Sequence, residues 1–234
     1  MSDPFRPRFW NPCLSPVQVR VWTVSVAAVL EAVEGGDLSP EELTRAERYR
    51  FKADARRFCA SRLLLRRVIG DYLGIRPGEV RLVETPGGKP EVFLSPGSPP
   101  VFFSLSRSGD FCTVAVSGCA AVGVDIEKVE LELEWEPAAK AWLSEEENLA
   151  IGSLGEESCR RDAFFRLWCA REAAAKALGL GLSLDPLASV SLEAILEGRE
   201  AVSRFRGQVV EAAELEAPKG YRQAGAVAHP PISR

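Results

Sequence analysis

The sequence predicts an α+β fold made of two similar halves. Three observations carry this. Short segments with period-two alternation, the mark of strands with one buried face, recur along the chain. Two long helical segments, 54–73 and 161–178, interrupt them. Each helix leads into a glycine stop, a Pro-containing loop and an alternating strand: L-G-I-R-P-G-E-V-R-L after the first, L-G-L-S-L-D-P-L-A-S-V-S-L after the second. The echo places a join near Gly118–Gly123, with halves 17–118 and 119–228 between an irregular segment 1–16 and a tail 229–234. A chance likeness of two helix–loop–strand units would give the same pattern.

Each element follows from its residues. The proline-rich start, 1–16, reads as irregular, and V-Q-V-R-V-W-T-V-S-V-A-A (17–28) as a strand. Ser39-Pro40-Glu41-Glu42 has the form of a capping box and opens a helix running to Tyr49 or Arg50. In 54–73, Phe58, Leu65, Ile69 and Tyr72 share one face, and Gly74 ends the helix. Short strands are expected at 80–84 and 91–94, in a Pro- and Gly-rich stretch. Strands 101–106 and 112–117 are joined by R-S-G-D, a turn signal, and 120–129 forms a further strand. Ser144 followed by three glutamates marks a helix start. Helix 161–178 is the strongest in the chain, and strands are expected at 188–193, 200–205, 208–214 and 222–228.

Composition narrows the function. The chain has 234 residues, 46% hydrophobic and 26% charged, with a net charge of −4. That balance fits a globular protein and gives no field toward nucleic acid or anionic membrane. No apolar run is long enough to span a bilayer, and residues 1–12 carry no apolar signal core, so a cytoplasmic location is expected. The six cysteines form no C-x-x-C pair and read as mostly buried free thiols, with a cysteine-only zinc site improbable. The single histidine, His229, leaves a Ser-His-Asp triad or a multi-histidine metal site without its parts. Chemistry must rest on carboxylates, lysine and arginine, with or without a metal.

Two stretches hold such groups. In A-A-V-G-V-D-I-E-K-V (120–129), Asp125 and Glu127 share a strand face beside Gly123. A wet strand face explains this; so does a hard-metal site, since adjacent carboxylates repel without a cation or proton between them. In F-F-R-L-W-C-A-R-E-A-A-A-K-A-L-G-L-G (164–181), Trp168, Glu172 and Lys176 stack at i, i+4 and i+8. A helix ion pair explains the last two, yet their neighbours are apolar. Nine basic residues between Arg45 and Arg67 read as a solvated face, with some facing an anion such as phosphate. Gly87-Gly88-Lys89-Pro90 is not a Walker A loop, and Phe103–Asp110 alternates serines against apolar residues with no nucleophile elbow. Its hydroxyls are expected to bind phosphate or backbone.

The order of these pieces resembles the 4′-phosphopantetheinyl transferases of the surfactin-synthetase-activating type, from about Ser39 to Val227. The resemblance implies two α+β halves in a pseudo-twofold relation, each a small, mainly antiparallel sheet packed on a long helix. It implies transfer of the phosphopantetheine arm of coenzyme A to a serine of an acyl or peptidyl carrier protein, in a cleft between the halves, by a chain sufficient as a monomer. Asp125, Glu127 and Glu172 would hold Mg²⁺, Lys176 would neutralise the pyrophosphate, and Glu172 would take the serine proton, directly or through a metal-bound water. Lys89 and Ser106 would line the nucleotide site, with Arg45 and Arg57 near the adenosine phosphates. The family's F-N-x-S-H-S is F-S-L-S-R-S here, so Arg107 stands for a histidine and is expected to keep a phosphate-binding role; Arg171 stands for a common lysine. A coenzyme A binder without catalysis and an unrelated Mg²⁺-dependent phosphohydrolase are the alternatives. The apolar residues Leu131, Leu133 and Trp135 are expected either at a partner contact or in the core.

Overall fold

A computed structural model describes residues 3–14, 16–33, 35–84, 90–130, 134–180 and 190–229. It holds two four-stranded antiparallel sheets, each covered by one long helix. The first has β1 (Arg8–Trp10), β2 (Val19–Ser25), β6 (Phe111–Ser117) and β5 (Phe102–Ser108) side by side in that order. The second runs β7 (Ala121–Lys128), β10 (Tyr221–His229), β9 (Gln208–Leu215), β8 (Ala201–Phe205). Strand β2 and strand β7 each open their half, each pair with the last strand of that half, and each last strand pairs with the strand before it. A small hairpin of β3 (Leu82–Glu84) and β4 (Pro90–Val92) stands apart.

The long helices are α3 (Lys52–Leu73) and α6 (Glu157–Ala177). Gly74 ends α3 in the left-handed region at φ 69°, a conformation that suits a residue without Cβ. Leu64, Leu65, Val68 and Ile69 of α3 pack on Trp22, Val24, Cys112, Val114 and Val116. On the other half, Phe164, Leu167, Ala170 and Ala174 of α6 meet Ala212, Ala224 and Ala226. The small residues on both sides let this helix ride low on its sheet. A third cluster of Val17, Val19, Val21, Ala115, Val122, Val124 and Val227 fills the space between the sheets. β2 and β7 are therefore covered on both faces, and each buried valine contributes about 1.5–3 kcal/mol relative to exposure.

Ser39 caps α2 (Pro40–Glu47) with the expected capping box, and Ser144 does the same for α5 (Glu145–Gly152). Several expectations need correction. Residues 8–10 lie in a strand, although the proline-rich start reads as irregular. The strand expected over 17–28 stops at Ser25, whose side chain accepts from the amide of Ala28 and starts α1 (Val26–Ala32). R-S-G-D is not all turn: Arg107 and Ser108 stay in β5. Helix α4 (Glu136–Trp142) forms with Pro137 in its first turn. In the stretch expected as strand 188–193, Leu192–Leu196 is a helix, α7, capped by Ser191, and 188–189 lie outside the described residues. Trp135 is buried in the core, while Leu131 and Leu133 lie outside the described residues. Of the cysteines, Cys112 and Cys169 are buried, but Cys13, Cys119 and Cys159 are exposed.

The basic run of the first half is partly structural. Arg66 donates from Nε to Glu42 at 2.8 Å and from Nη1 to the carbonyl of Val80 at 2.7 Å, and Arg62 also faces Glu42. All three side chains are buried, so this network ties α2 to α3.

The first residues cross to the second half. Trp10 Nε1 and the amide of Cys13 donate to Glu200, and the amide of Leu14 donates to the fully buried Glu211.

Candidate functional site

The edges of the two sheets meet at β5 and β7. Where a backbone ladder would join two strands, serine side chains do so. Ser104 Oγ accepts from the amide of Val124 at 3.0 Å, and Ser108 Oγ accepts from the amide of Lys128 at 3.1 Å. Between them Ser106 donates to Asp125 at 2.8 Å, and Ser108 donates to Glu127 at 2.7 Å. Serines two apart on β5 thus face the two carboxylates two apart on β7, as the period of a strand requires. The alternation over 103–108 is the signal for this, and the hydroxyls serve backbone and carboxylate.

From above, α6 closes on β7 at Gly123. A Cβ built on Gly123 would lie 1.8 Å from the carbonyl oxygen of Ala173 and 2.7 Å from the amide of Ala177. Only glycine permits this approach. It brings Lys176 Nζ to 2.6 Å from Asp125 Oδ1 and 3.2 Å from the carbonyl of Val124. Along α6, Trp168, Glu172 and Lys176 are the half-open positions in a largely buried stretch. Arg171 points elsewhere: it pairs with Glu147 and is buried.

Electrostatics mark the seam. Asp125 is 2% exposed, and its Oδ2 is buried with no hydrogen-bond partner; Glu172 Oε1 is in the same position. Burial, reinforced by the charge of Asp125, pushes Glu127 up to about 7. Burial also raises Glu172, against Lys176, which lowers it. Three carboxylates share one ammonium, and two of their oxygens lack partners. Such a set lacks positive charge. Among the described residues the trio does not gather its ligand atoms within 4.8 Å of one another, and Lys176 bonds one member. The unpartnered oxygens and the all-oxygen donor set fit a hard divalent cation.

A second feature lies near α2. The guanidiniums of Arg45, Arg62 and Arg107 stand 5.3, 5.3 and 5.9 Å from the ring centre of buried Phe58. Tyr49 packs on the same ring and accepts from Arg107 at 3.4 Å. Arg45, Arg48 and Tyr49 line an open cleft of about 750 Å³. Cationic groups gathered around one aromatic ring suit an anion. Arg57 is not among them; it pairs with Asp54 at 2.5 Å. Lys89 lies outside the described residues. The role of Tyr49 and Phe58 was not legible, because an aromatic residue on a helix reads as core.

Known proteins give an independent comparison. Residues 121–226 match a family model described as the 4′-phosphopantetheinyl transferase superfamily, and residues 20–119 match one described as 4′-phosphopantetheinyl transferase, N-terminal. The chain is 32% identical over 178 residues to the 4′-phosphopantetheinyl transferase HetI of Nostoc sp., covering 74% of this chain and 73% of that protein. It is 36% identical over 157 residues to the L-aminoadipate-semialdehyde dehydrogenase-phosphopantetheinyl transferase of Xenopus laevis, covering 63% of this chain and 51% of that one. For the protein of the same name from Homo sapiens the identity is 32% over 171 residues, covering 70% and 55%. The chain thus spans about half the length of these two animal relatives.

Proposed function

Because the chain belongs to the 4′-phosphopantetheinyl transferase superfamily and so moves the phosphopantetheine arm of coenzyme A to carrier proteins, we propose that the acidic seam is where this transfer occurs. The observation that carries the proposal is the pair of buried, partnerless oxygens, Asp125 Oδ2 and Glu172 Oε1. Asp125, Glu127 and Glu172 would hold Mg²⁺, which when bound neutralises the pyrophosphate of the substrate.

The chain's own groups take the remaining work. The carrier's serine oxygen forms a bond to the phosphorus that bears the pantetheine arm, and the bond from that phosphorus to the leaving 3′,5′-ADP breaks. Glu172, on the face of α6 that carries Lys176, takes the serine proton. Lys176, anchored on Asp125 and the carbonyl of Val124, supplies a fixed positive charge to the leaving group. Phosphoryl transfer depends on such positioning more than on a reactive side chain. Arg45 and Arg107 bind the phosphates of the adenosine end, supported by their convergence on Phe58. Ser106 acts through Asp125.

We further infer the surfactin-synthetase-activating type, with both halves in one chain, working in the cytoplasm as a monomer on acyl or peptidyl carriers. A net charge of −4 supports partners other than nucleic acid or anionic membrane. Among the described residues no helix is long and apolar enough to cross a membrane.

The test incubates the chain with apo-carrier, coenzyme A and Mg²⁺ and weighs the carrier. Transfer adds the arm, roughly 340 Da, to the carrier, and Glu172→Gln abolishes the gain. An unmodified carrier with intact coenzyme A would indicate a binder. Cleaved coenzyme A beside an unmodified carrier would indicate a hydrolase.

A further inference from the structure

Far along β10 from the acidic seam, a different set of donors converges. Cys13, Glu200 and Glu211 each offer a ligand atom within 4.8 Å of the others. Cys13 Sγ lies 3.3 Å from Glu211 Oε2. The chain's only histidine, His229, backs the group: its Nε2 is 2.5 Å from Glu211 Oε1, the oxygen that Cys13 does not face. We propose that Cys13, Glu200 and Glu211 form a second metal site, backed by His229 through Glu211, for a borderline-soft divalent cation of the zinc class.

The donor set carries the argument. A thiolate with two carboxylates suits zinc rather than Mg²⁺, which prefers oxygen alone. Three protein donors leave the fourth position of a tetrahedron open to water. With sulfur at about 2.3 Å and nitrogen or oxygen at about 2.0 Å from the ion, neighbouring ligands stand about 3.3–3.5 Å apart. Cys13 and Glu211 already have that spacing, and His229 holds the other oxygen of Glu211 in the outer shell. An outer shell is also in place. Trp10 Nε1 and the amide of Cys13 orient Glu200, while the amide of Leu14 orients Glu211. Such partners fix carboxylate ligands without using all their lone pairs. Glu211 is fully buried, whereas Cys13 is exposed and gives the ion a way in. The ion would staple the segment before β2 onto the sheet of the other half.

Cobalt titration of the full chain, stripped beforehand with a chelator, tests this. The expected result is a thiolate-to-cobalt charge-transfer band that saturates at a single equivalent and is displaced by zinc. Cys13→Ser should remove the band, and His229→Gln should weaken cobalt binding by about tenfold or more. Glu172→Gln should leave the band unchanged, which separates this site from the acidic seam. Absence of the band in the unmodified chain overturns the proposal. So does its survival in Cys13→Ser, or unweakened binding in His229→Gln. If Cys13→Ser fails to fold, by circular dichroism, the unmodified chain and His229→Gln still decide.

Discussion

Ser106 on the first sheet donates its hydroxyl hydrogen to Asp125 on the second, 2.8 Å away. The same carboxylate oxygen accepts from Lys176 on α6. Both halves and the long helix therefore position one acid. Ser106→Ala should remove a hydrogen bond to an ionised group and cost about 1.5–3 kcal/mol in urea unfolding. Transfer should slow while the KM for coenzyme A changes little. A fall in stability with unchanged turnover would show that Ser106 has no positioning role.

Gly123 sets the height of α6 over β7. Gly123→Ala would place a methyl group on the carbonyl of Ala173, so helix and strand must part. Overpacking of this kind costs about 1–3 kcal/mol or more. The lift would also draw Lys176 from Asp125. The variant should melt earlier and lose most of its transfer activity, read by thermal unfolding and by the carrier mass assay.

Glu127 gives the metal-free chain a pH signature. Its carboxyl is raised from 4.5 in the unfolded chain to about 7 in the fold, by burial first and Asp125 second. The folded state holds the extra proton, so this group's contribution to stability is complete below pH 4.5 and is lost as pH rises through about 7. Chemical unfolding between those limits should show a decline that Glu127→Gln flattens. Mg²⁺ should oppose the decline, because the ion favours the ionised carboxylate.

Arg107 should act on binding. Arg107→Ala removes one of the guanidiniums gathered on Phe58, and the KM for coenzyme A should rise about tenfold, the worth of one charge-assisted contact. The turnover number should stay within about twofold. An unchanged KM would place the phosphates elsewhere.

Glu42 holds Arg66 in the core between α2 and α3. Glu42→Gln leaves a buried guanidinium without its counter-charge, and the cost should be about 3 kcal/mol in equilibrium unfolding. The cleft beside α2 should loosen with it, weakening coenzyme A binding.

Much of this arrangement was legible before any coordinates. Helices α2, α3, α5 and α6 follow from caps and periodicity; spacing pairs Asp125 with Glu127 and Glu172 with Lys176, and only the family resemblance joins the two pairs into one candidate site. What escaped depends on tertiary neighbours. Ser25 looks like one more strand residue until its side chain caps α1. Arg62 and Arg66 carry charge and read as wet, yet Glu42 lies a helix away and buries them. Arg57 reads as free to meet an anion until Asp54 takes it. His229 reads as a tail residue, but β9 brings Glu211 to it across the sheet. Local patterns record which face an element buries; they do not record which distant side chain completes a pair.

The crossing of residues 10–14 onto Glu200 and Glu211 spans separations of 187 to 197 residues. Such distant pairings close late, because the entropy of a long loop must be overcome before the contact rewards it. On the ribosome, residues made early must therefore wait until β9 has emerged before they find their seat. The nascent first half can bury its own core around α3 and pair β1 with β2, but the stretch just after β1 stays unfastened until synthesis of the second half is nearly done. Fastening of that segment is thus one of the last events in the birth of the molecule.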